Sequence, residues 1–216
     1  MGIGVAGNYR LNITYGGKIF FADPRGIQEL TITCALDRFL PSFRMKIGDT
    51  TGELTHLETI DGIREMTIEV TSGPEELNLY NKYTFYIYRR FPSVSGIFDI
   101  EGLLKVDKLF APLFCRSFSG KVKASLETVS DGMSLDTSEI SSSLNYTKTL
   151  LQPNWTNAQF LNYLSENLLG TRDEGGFYTY ISVRDGHTDL IFKSIKEFVQ
   201  YARGSCERSP QELVFN

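Results

Sequence analysis

The chain contains few of the residues on which catalytic and metal sites are usually built. It has three cysteines, two histidines and one tryptophan among its 216 residues. Cys34, Cys115 and Cys206 are odd in number and widely spaced, so they match neither a disulfide framework nor a zinc-binding pattern. The two histidines, His56 and His187, complete no metal pattern either. The sequence therefore predicts no metal and no cofactor, and this cysteine usage is typical of a protein made in a reducing cytoplasm.

Long apolar runs and concentrated positive charge are also missing. No stretch approaches the ~20 consecutive apolar residues that a membrane-spanning helix needs. Residues 1–7 lack a basic segment followed by a long apolar stretch, so they do not match a secretion signal. The net charge is −4, and no cluster of Lys and Arg interrupts this mildly acidic balance. We therefore expect neither a membrane-spanning segment nor specific binding of nucleic acid.

Candidate catalytic residues are sparse. Cys34, His56 and Asp61 could form a nucleophilic trio, since catalytic groups need only meet in space. Cys34, however, falls on the apolar face of a predicted strand, where cysteine behaves as a small hydrophobic residue. His187 falls in an Asp-Gly-His hairpin bend, which favours a solvated turn residue over a ligand. The sequence thus predicts a protein that is not an enzyme, with no catalytic, cofactor-binding or metal-binding residues.

What the chain does contain is a series of short strand patterns over its first hundred residues. Its 11 tyrosines and 15 phenylalanines are a high aromatic content, which is typical of strand-rich proteins. Gly16-Gly17 predicts a hairpin turn between the strands Asn12–Tyr15 and Lys18–Phe21. A series of this kind indicates a small antiparallel barrel or sandwich. Apolar alternation predicts the further strands Leu30–Ala35, Phe43–Ile47, Thr67–Val70, Tyr83–Tyr88 and Phe98–Val106.

The pattern changes near residue 105. Val122, Leu126 and Val129 recur at helical spacing, and Gly132 is the expected end of that helix. Residues 131–145 are rich in Ser, Asp and Thr, which predicts a loop. The segment from Gly204 to Asn216 carries little pattern and predicts a loose tail.

Residues 153–198 predict a helix, a hairpin and a second helix. Thr156 and Gln159 form a capping box, in which each side chain bonds the other residue's backbone N–H, and Ser194 with Glu197 forms another. Asp185-Gly186 predicts the tight turn of a hairpin between Phe177–Arg184 and Thr188–Lys193. The first helix is further marked by a Trp155–Phe160 hydrophobic staple, by the apolar stripe Phe160, Leu161, Leu164 and Leu168, and by Gly170 as its C-terminal cap.

Together these patterns predict an α+β protein that is mainly β. We expect an antiparallel β domain over residues 1–110, a small α+β domain over residues 111–203, and a C-terminal tail over residues 204–216. Sheet edges of such a β domain can pair with neighbouring copies, so a binding or assembly role is physically natural.

The segment Thr149–Ser165 resembles a known family. It is similar to the segment of baseplate hub proteins of tailed phages in which a polar-Pro-x-x-Thr-x-x-x-Phe-Leu entry leads into a helix. It is similar also to the Asp-Phe-Leu-x-x-Leu-x-x-x-x-Gly stretch of the spike proteins of type VI secretion. In both groups a Gly/aromatic hairpin follows, here Glu174–Ile181 with the turn at Asp185–His187. The upstream piece Phe114–Gly120, with the helix after it, resembles the first small helix of the hub.

This resemblance implies a non-enzymatic structural protein between the tail tube, the baseplate and the central spike. Its N-terminal domain would be a tail-tube-like barrel lining a channel that DNA crosses without specific binding. Hubs of this family are usually trimers whose chains each carry two such barrels. The resemblance therefore implies a homo-oligomer, with a trimer favoured over a hexamer, in a virion assembled from proteins made in the host cytoplasm. With 216 residues, the chain has room for one barrel.

Two other functional classes remain open from the residues alone. One is a monomeric cellular binding module whose α+β domain recognises a peptide or a sugar. The other is a hydrolase that uses Cys34 or His56, which the missing motifs disfavour.

Overall fold

The computed structural model describes residues 10–15, 18–20, 26–34, 38–48, 65–72, 79–93, 96–168 and 175–206. The protein is mainly β, and its largest element is a curled antiparallel sheet that forms a half-barrel. Seven strands make this sheet, in the order β2-β1-β5-β6-β7-β4-β3. They are β1 (Arg10–Tyr15), β2 (Lys18–Phe20), β3 (Ile27–Thr33), β4 (Ser42–Gly48), β5 (Glu65–Ser72), β6 (Leu79–Ser93) and β7 (Ile97–Leu104).

The period-2 alternation of the sequence decides which face of the sheet is buried, because successive side chains point to opposite faces. Phe43, Met45 and Ile47 of β4 are buried, and Arg44 between them is exposed. Tyr83 and Phe85 of β6 are buried in the same way, as predicted. The first predicted hairpin is confirmed, since β1 and β2 pair with Tyr15 opposite Lys18. Its predicted Gly16-Gly17 turn lies outside the described residues.

One strand assignment needs a correction. The sequence predicted a strand from Leu30 to Ala35 with Cys34 on its apolar face, but β3 ends at Thr33 and Cys34 is exposed. Leu30 and Ile32 do share the inner side and pack against the core. The alternation of buried and exposed side chains therefore holds along β3. Cys34 comes after the last residue of the strand, beyond its register with β4.

After the sheet, the residues that the structure describes form three helices and two strand pairs. The predicted first helix is confirmed as α1 (Val122–Asp131), with Gly132 after it. Phe114–Phe118 (β8) and Leu150–Trp155 (β9) pair antiparallel, although the sequence predicted neither strand. α2 (Asn157–Asn167), β10 (Phe177–Arg184), β11 (His187–Ser194) and α3 (Ile195–Cys206) follow in the predicted order.

The predicted capping boxes and hairpin turn are all present. Thr156 Oγ1 accepts a hydrogen bond from the backbone N–H of Gln159 at 3.2 Å, and Gln159 Oε1 accepts one from the backbone N–H of Thr156 at 2.9 Å. Ser194 and Glu197 exchange equivalent bonds at the start of α3. Asp185 and Gly186 both have positive φ, 49° and 80°, as a type I′ hairpin turn requires. Gly170, the predicted cap of α2, lies outside the described residues.

The predicted loop over residues 131–145 is more ordered than its composition indicated. It forms isolated parallel bridges to β11, where Asp136 lies opposite Asp189 and Ile140 opposite Phe192. Ser142–Leu144 is a short 3-10 helix. The backbone of this segment thus hydrogen-bonds to the β11 edge of the hairpin. The side-chain pattern does not reveal such a pairing, because every residue except proline offers the same backbone N–H and C=O groups.

One continuous set of buried side chains runs through the sheet and the elements that follow it. Hydrogen bonds tie the two parts together at the hairpin. The Ile181 backbone N–H donates to the Phe39 carbonyl at 2.9 Å, and the Asp185 N–H donates to Asn81 Oδ1 at 3.0 Å. The β10–β11 hairpin is therefore fixed against the sheet.

Candidate functional site

The structure describes only some of the residues that could have carried chemistry. Cys34 is exposed beyond the end of β3, and its possible partners His56 and Asp61 lie outside the described residues. His187 Nδ1 is 3.1 Å from Asp136 Oδ2, and both side chains are largely exposed. Within the described ranges, no group of three or more His, Cys, Asp and Glu side chains could hold a metal ion. The other candidates for a functional site among the described residues are two surfaces of the sheet.

The first of these surfaces is the pair of sheet edges. In the described part of the chain, β2 and β3 end the seven-stranded sheet, and each pairs with one neighbour. Along an edge strand, about half of the backbone N–H and C=O groups point away from the sheet and can pair with another chain. β3 is seven residues long and carries one irregularity, between Ile27 and Glu29. The sheet thus offers an edge at each side.

The second surface is the exposed face of the sheet, which we name the outer face. It carries cross-strand ion pairs, including Lys46 with Glu29 at 3.1 Å and Arg44 with Asp99 at 2.8 Å. Each basic side chain that the structure describes in these pairs contacts an acidic one, so its charge is compensated locally. The paired charged residues described on this face are Arg44, Lys46, Lys82, Arg89, Lys105, Glu29, Glu65, Glu69, Asp99 and Glu101.

These pairs perturb the titration of their members in the directions expected for opposite charges. The hydrogen bond from Arg44 holds the pKa of Asp99 below its usual value. The hydrogen bond from Lys82 lowers the pKa of Glu69 in the same way. Both carboxyl groups therefore stay ionised at neutral pH, and the outer face keeps its pairing of charges.

Aromatic side chains lie among the ion pairs on the outer face. Tyr86, Tyr88 and Phe91 are 44%, 62% and 52% exposed, and Leu103 lies directly opposite Tyr86 in the register. Arg89 lies over the Phe91 ring, 4.6 Å from its centroid. Exposed aromatic rings with a polar surround are the composition that interfaces favour.

A buried polar network holds the segment after the sheet. Arg116 donates to Gln152 Oε1 from Nε at 3.0 Å and from Nη2 at 2.7 Å, and Nη2 also donates to Asn157 Oδ1. Asn157 Nδ2 in turn donates to the Lys108 carbonyl at 3.0 Å. Burial lowers the pKa of Arg116. The network joins β8, β9, α2 and the loop that precedes β8, and nothing in the local sequence pattern indicated it.

Comparison with known proteins gives no further information on the site. Neither the protein-family models nor the curated proteins contain a match to this chain. Among the helices that the structure describes, none is long and apolar enough to cross a membrane. Within the part of the chain that the structure describes, the features on which a functional proposal can be built are the two end strands of the sheet and the outer face.

Proposed function

We propose that the protein is a non-enzymatic structural component of a phage tail baseplate, or of a related contractile injection machine. It would be a hub that links the tail tube to the central spike and lines the channel for DNA ejection. The observation that carries this proposal is the order of the elements. Among the described residues, a curled antiparallel sheet whose end strands each pair with one neighbour precedes a capped helix, a hairpin and a second capped helix.

The open edges support a ring. If β3 of one copy pairs with β2 of the next, the same contact repeats from copy to copy and the two partners use different surfaces. Such a contact closes into a ring when the rotation between copies divides the full circle, and closure pairs both end strands of the seven-stranded sheet. A trimer is the favoured state and a hexamer is the alternative, with one tube-like sheet contributed by each chain.

The outer face supports passage of DNA without retention. Binding of phosphates is largely electrostatic and depends on Lys and Arg side chains that are free to contact them. On the outer face, the Lys and Arg side chains named above contact carboxylates of the same chain. A channel wall of this kind attracts DNA weakly. The tube, spike and baseplate proteins of the same tail are the expected partners, and the virion is the expected location.

A second function has one observation in its favour. Tyr86, Tyr88 and Phe91 form an exposed aromatic group beside carboxylates on the outer face, and aromatic faces pack against sugar rings. A monomeric cellular module that recognises a sugar or a peptide is therefore the alternative.

The two functions are separated by the size of the native protein and by its presence in particles. We expect a ring of defined copy number by native mass spectrometry, and the protein in purified tails by immunogold labelling at the baseplate. Thr31→Lys, on the edge strand β3, should reduce ring formation, because a lysine at a sheet edge opposes pairing with a second chain. Thr71→Lys, on the interior strand β5, is the matched control and should leave the ring intact.

A persistent monomer that is absent from purified tails would refute the hub function. If that monomer also bound glycans on an array and lost the binding on Tyr88→Ala, the sugar-binding module would replace it.

A further inference from the structure

Arg116 of β8 carries a positive charge that no carboxylate in the described part of the chain compensates. Its guanidinium donates to two side-chain amide oxygens, Gln152 Oε1 and Asn157 Oδ1. Both acceptors are neutral, and Arg116 belongs to none of the ion pairs among the described residues. The basic side chains in the ion pairs of the outer face differ from it, because each of them contacts a carboxylate.

Further hydrogen bonds hold the two amide groups with their oxygens toward the guanidinium. Gln152 Nε2 donates to Asn157 Oδ1 at 3.2 Å, and Asn157 Nδ2 donates to the Lys108 carbonyl at 3.0 Å. Gln152 and Asn157 are 0% and 1% exposed, so neither amide competes with water for its partners. The Phe114 ring packs against the guanidinium, with its centroid 4.0 Å from Cζ. The position of Arg116 is therefore fixed by the fold before any ligand binds.

Nη1 is the nitrogen of this guanidinium that remains available. Nε and Nη2 make the bonds to the amide oxygens, whereas Nη1 makes no hydrogen bond within the described part of the chain. It is not one of the described side-chain atoms that are buried without a partner, so it reaches solvent. Burial lowers the pKa of Arg116, which means that its charged form has lost part of its hydration. A guanidinium nevertheless stays protonated in proteins, so Nη1 offers two N–H donors that carry positive charge.

The charged groups around Arg116 leave a local excess of positive charge. The first turn of α2, which begins at Asn157, contains no acidic residue. Lys108 bonds Asn157 through its carbonyl, and its side chain is exposed and forms no ion pair with a described residue. Asp107 is next to Lys108 in the chain, but its carboxylate lies 3.8 Å from Lys105 Nζ. An anion bound at Nη1 would therefore be attracted by both Arg116 and Lys108.

The neighbouring surface favours a protein partner over a nucleic acid. Phe110 and Leu113 are 60% and 55% exposed in the loop between β7 and β8. This loop lies against the start of α2, where the Leu109 carbonyl accepts a hydrogen bond from the Ala158 N–H at 2.9 Å. Arginine beside exposed aromatic and apolar side chains is the composition that protein interfaces favour. Nucleic acid, by contrast, is held by many phosphate contacts from Lys and Arg.

We propose that Arg116 binds the carboxylate of an acidic side chain on a partner protein. Nη1 donates to a carboxylate oxygen, and the nearby charge of Lys108 strengthens the attraction. A hydrogen bond between ionised groups is roughly twice as strong as one between neutral groups. The partner is expected to carry apolar residues beside its Asp or Glu, since Phe110 and Leu113 border the site. This inference does not rest on the tail function proposed above.

Two peptides that differ in one chemical group test this inference on the full chain. They are acetyl-Leu-Glu-Leu-amide and acetyl-Leu-Gln-Leu-amide, and the readout is the NMR spectrum of isotope-labelled arginine side chains. Arg116→Lys identifies the Arg116 signal by removing it. We expect the Glu peptide to shift the Arg116 Nη signals and to bind at least about tenfold more tightly than the Gln peptide, because only a carboxylate makes a charge-assisted bond.

A pair of charge variants provides a test that leaves the buried network intact. Lys108→Gln should weaken binding of the Glu peptide about two- to threefold, as expected for a partly screened charge, and should leave binding of the Gln peptide unchanged. Lys196→Gln removes the same charge from an exposed position on α3 and should bind both peptides as the native chain does.

Equal binding of the two peptides, or a Glu peptide that leaves the Arg116 signals unshifted, would overturn the inference. Equal effects of Lys108→Gln and Lys196→Gln would also contradict it, because the attraction would then reflect net charge alone. Inorganic phosphate is the competing probe. If phosphate shifted the Arg116 signals at lower concentration than the Glu peptide, a phosphate site would replace the carboxylate site.

Discussion

Gly102 provides the sharpest test of the sheet. It lies on β7, opposite Phe43 of β4 and Ile87 of β6, and its backbone is buried. A methyl group added at Gly102 would lie 2.4 Å from Phe43 Cε1 and 2.6 Å from the Tyr86 carbonyl oxygen. Non-bonded carbon atoms prefer about 3.5–4.0 Å, so the contact with Phe43 overlaps by roughly 1 Å or more. The contact with the carbonyl oxygen is also shorter than a real methyl group shows.

Neither neighbour of Gly102 can move away at low cost. The Phe43 ring is 3% exposed and lies 4.6 Å from the Phe85 ring, and the Tyr86 oxygen belongs to the backbone of the sheet. We therefore expect Gly102→Ala to lower the free energy of unfolding by about 3 kcal/mol, at the upper end of the usual cost of overpacking. For a chain of this size, that loss corresponds to a fall of about 6–12 °C in Tm.

The measurement is urea unfolding of Gly102→Ala and of Gly48→Ala, followed by far-UV circular dichroism. Gly48 lies at the end of β4 in the same sheet, and the nearest atom to its added methyl is 3.7 Å away, an ordinary contact. Gly48→Ala should be neutral or stabilising by about 0.4–1 kcal/mol, because alanine restricts the unfolded chain. Equal stability of the two variants would refute the register of β4, β7 and β6 described above.

Three further predictions concern the part of the chain after the sheet. Thr156→Ala should cost about 1 kcal/mol in thermal or urea unfolding, because it removes the N-cap of α2; an unchanged midpoint would contradict that role. Phe160→Ala should cost about 3–5 kcal/mol, since its ring is fully buried and stacks on Phe118, whereas Phe110→Ala should change the monomer's stability little. Burial, and then the nearby Asp136, raise the pKa of Asp189, so the fold favours its protonated form. That contribution is complete below the unfolded pKa of about 3.9 and is lost as pH rises through the folded pKa. Asp189→Asn should therefore be at least as stable as the native chain at pH 7, with the difference shrinking in acid; a less stable variant at pH 7 would contradict this reasoning.

The local signals of the sequence predicted much of the second half of the chain. Capping boxes at Thr156 and Ser194 and the turn at Asp185-Gly186 need only residues within four positions of one another, so sequence order alone brings their partners together. The alternation in β4 and β6 was equally local, and it identified the buried face before any partner strand was known.

Pairings between distant segments were not predictable in this way. Arg116 of β8 meets Gln152 of β9 across 36 positions, with α1 between them. The strand Leu150–Trp155 contains Pro153 and follows no clean alternation, so its pairing depends on β8 being placed beside it. The Trp155 ring lies against Tyr163, and Phe160 stacks on Phe118, two ring contacts that the helix pattern did not predict.

By itself, the sequence determined the mainly β composition, the helix starts, the tight hairpin turn and the scarcity of groups for metal or catalytic chemistry. Each of these depends on residue type or on contacts within one turn or one strand. Only the tertiary structure decided the order of the described strands, which of them lie at the ends of the sheet, and the charge pairing on the outer face. These features depend on which distant segments pack together, and packing is settled by the shared core that the whole chain buries.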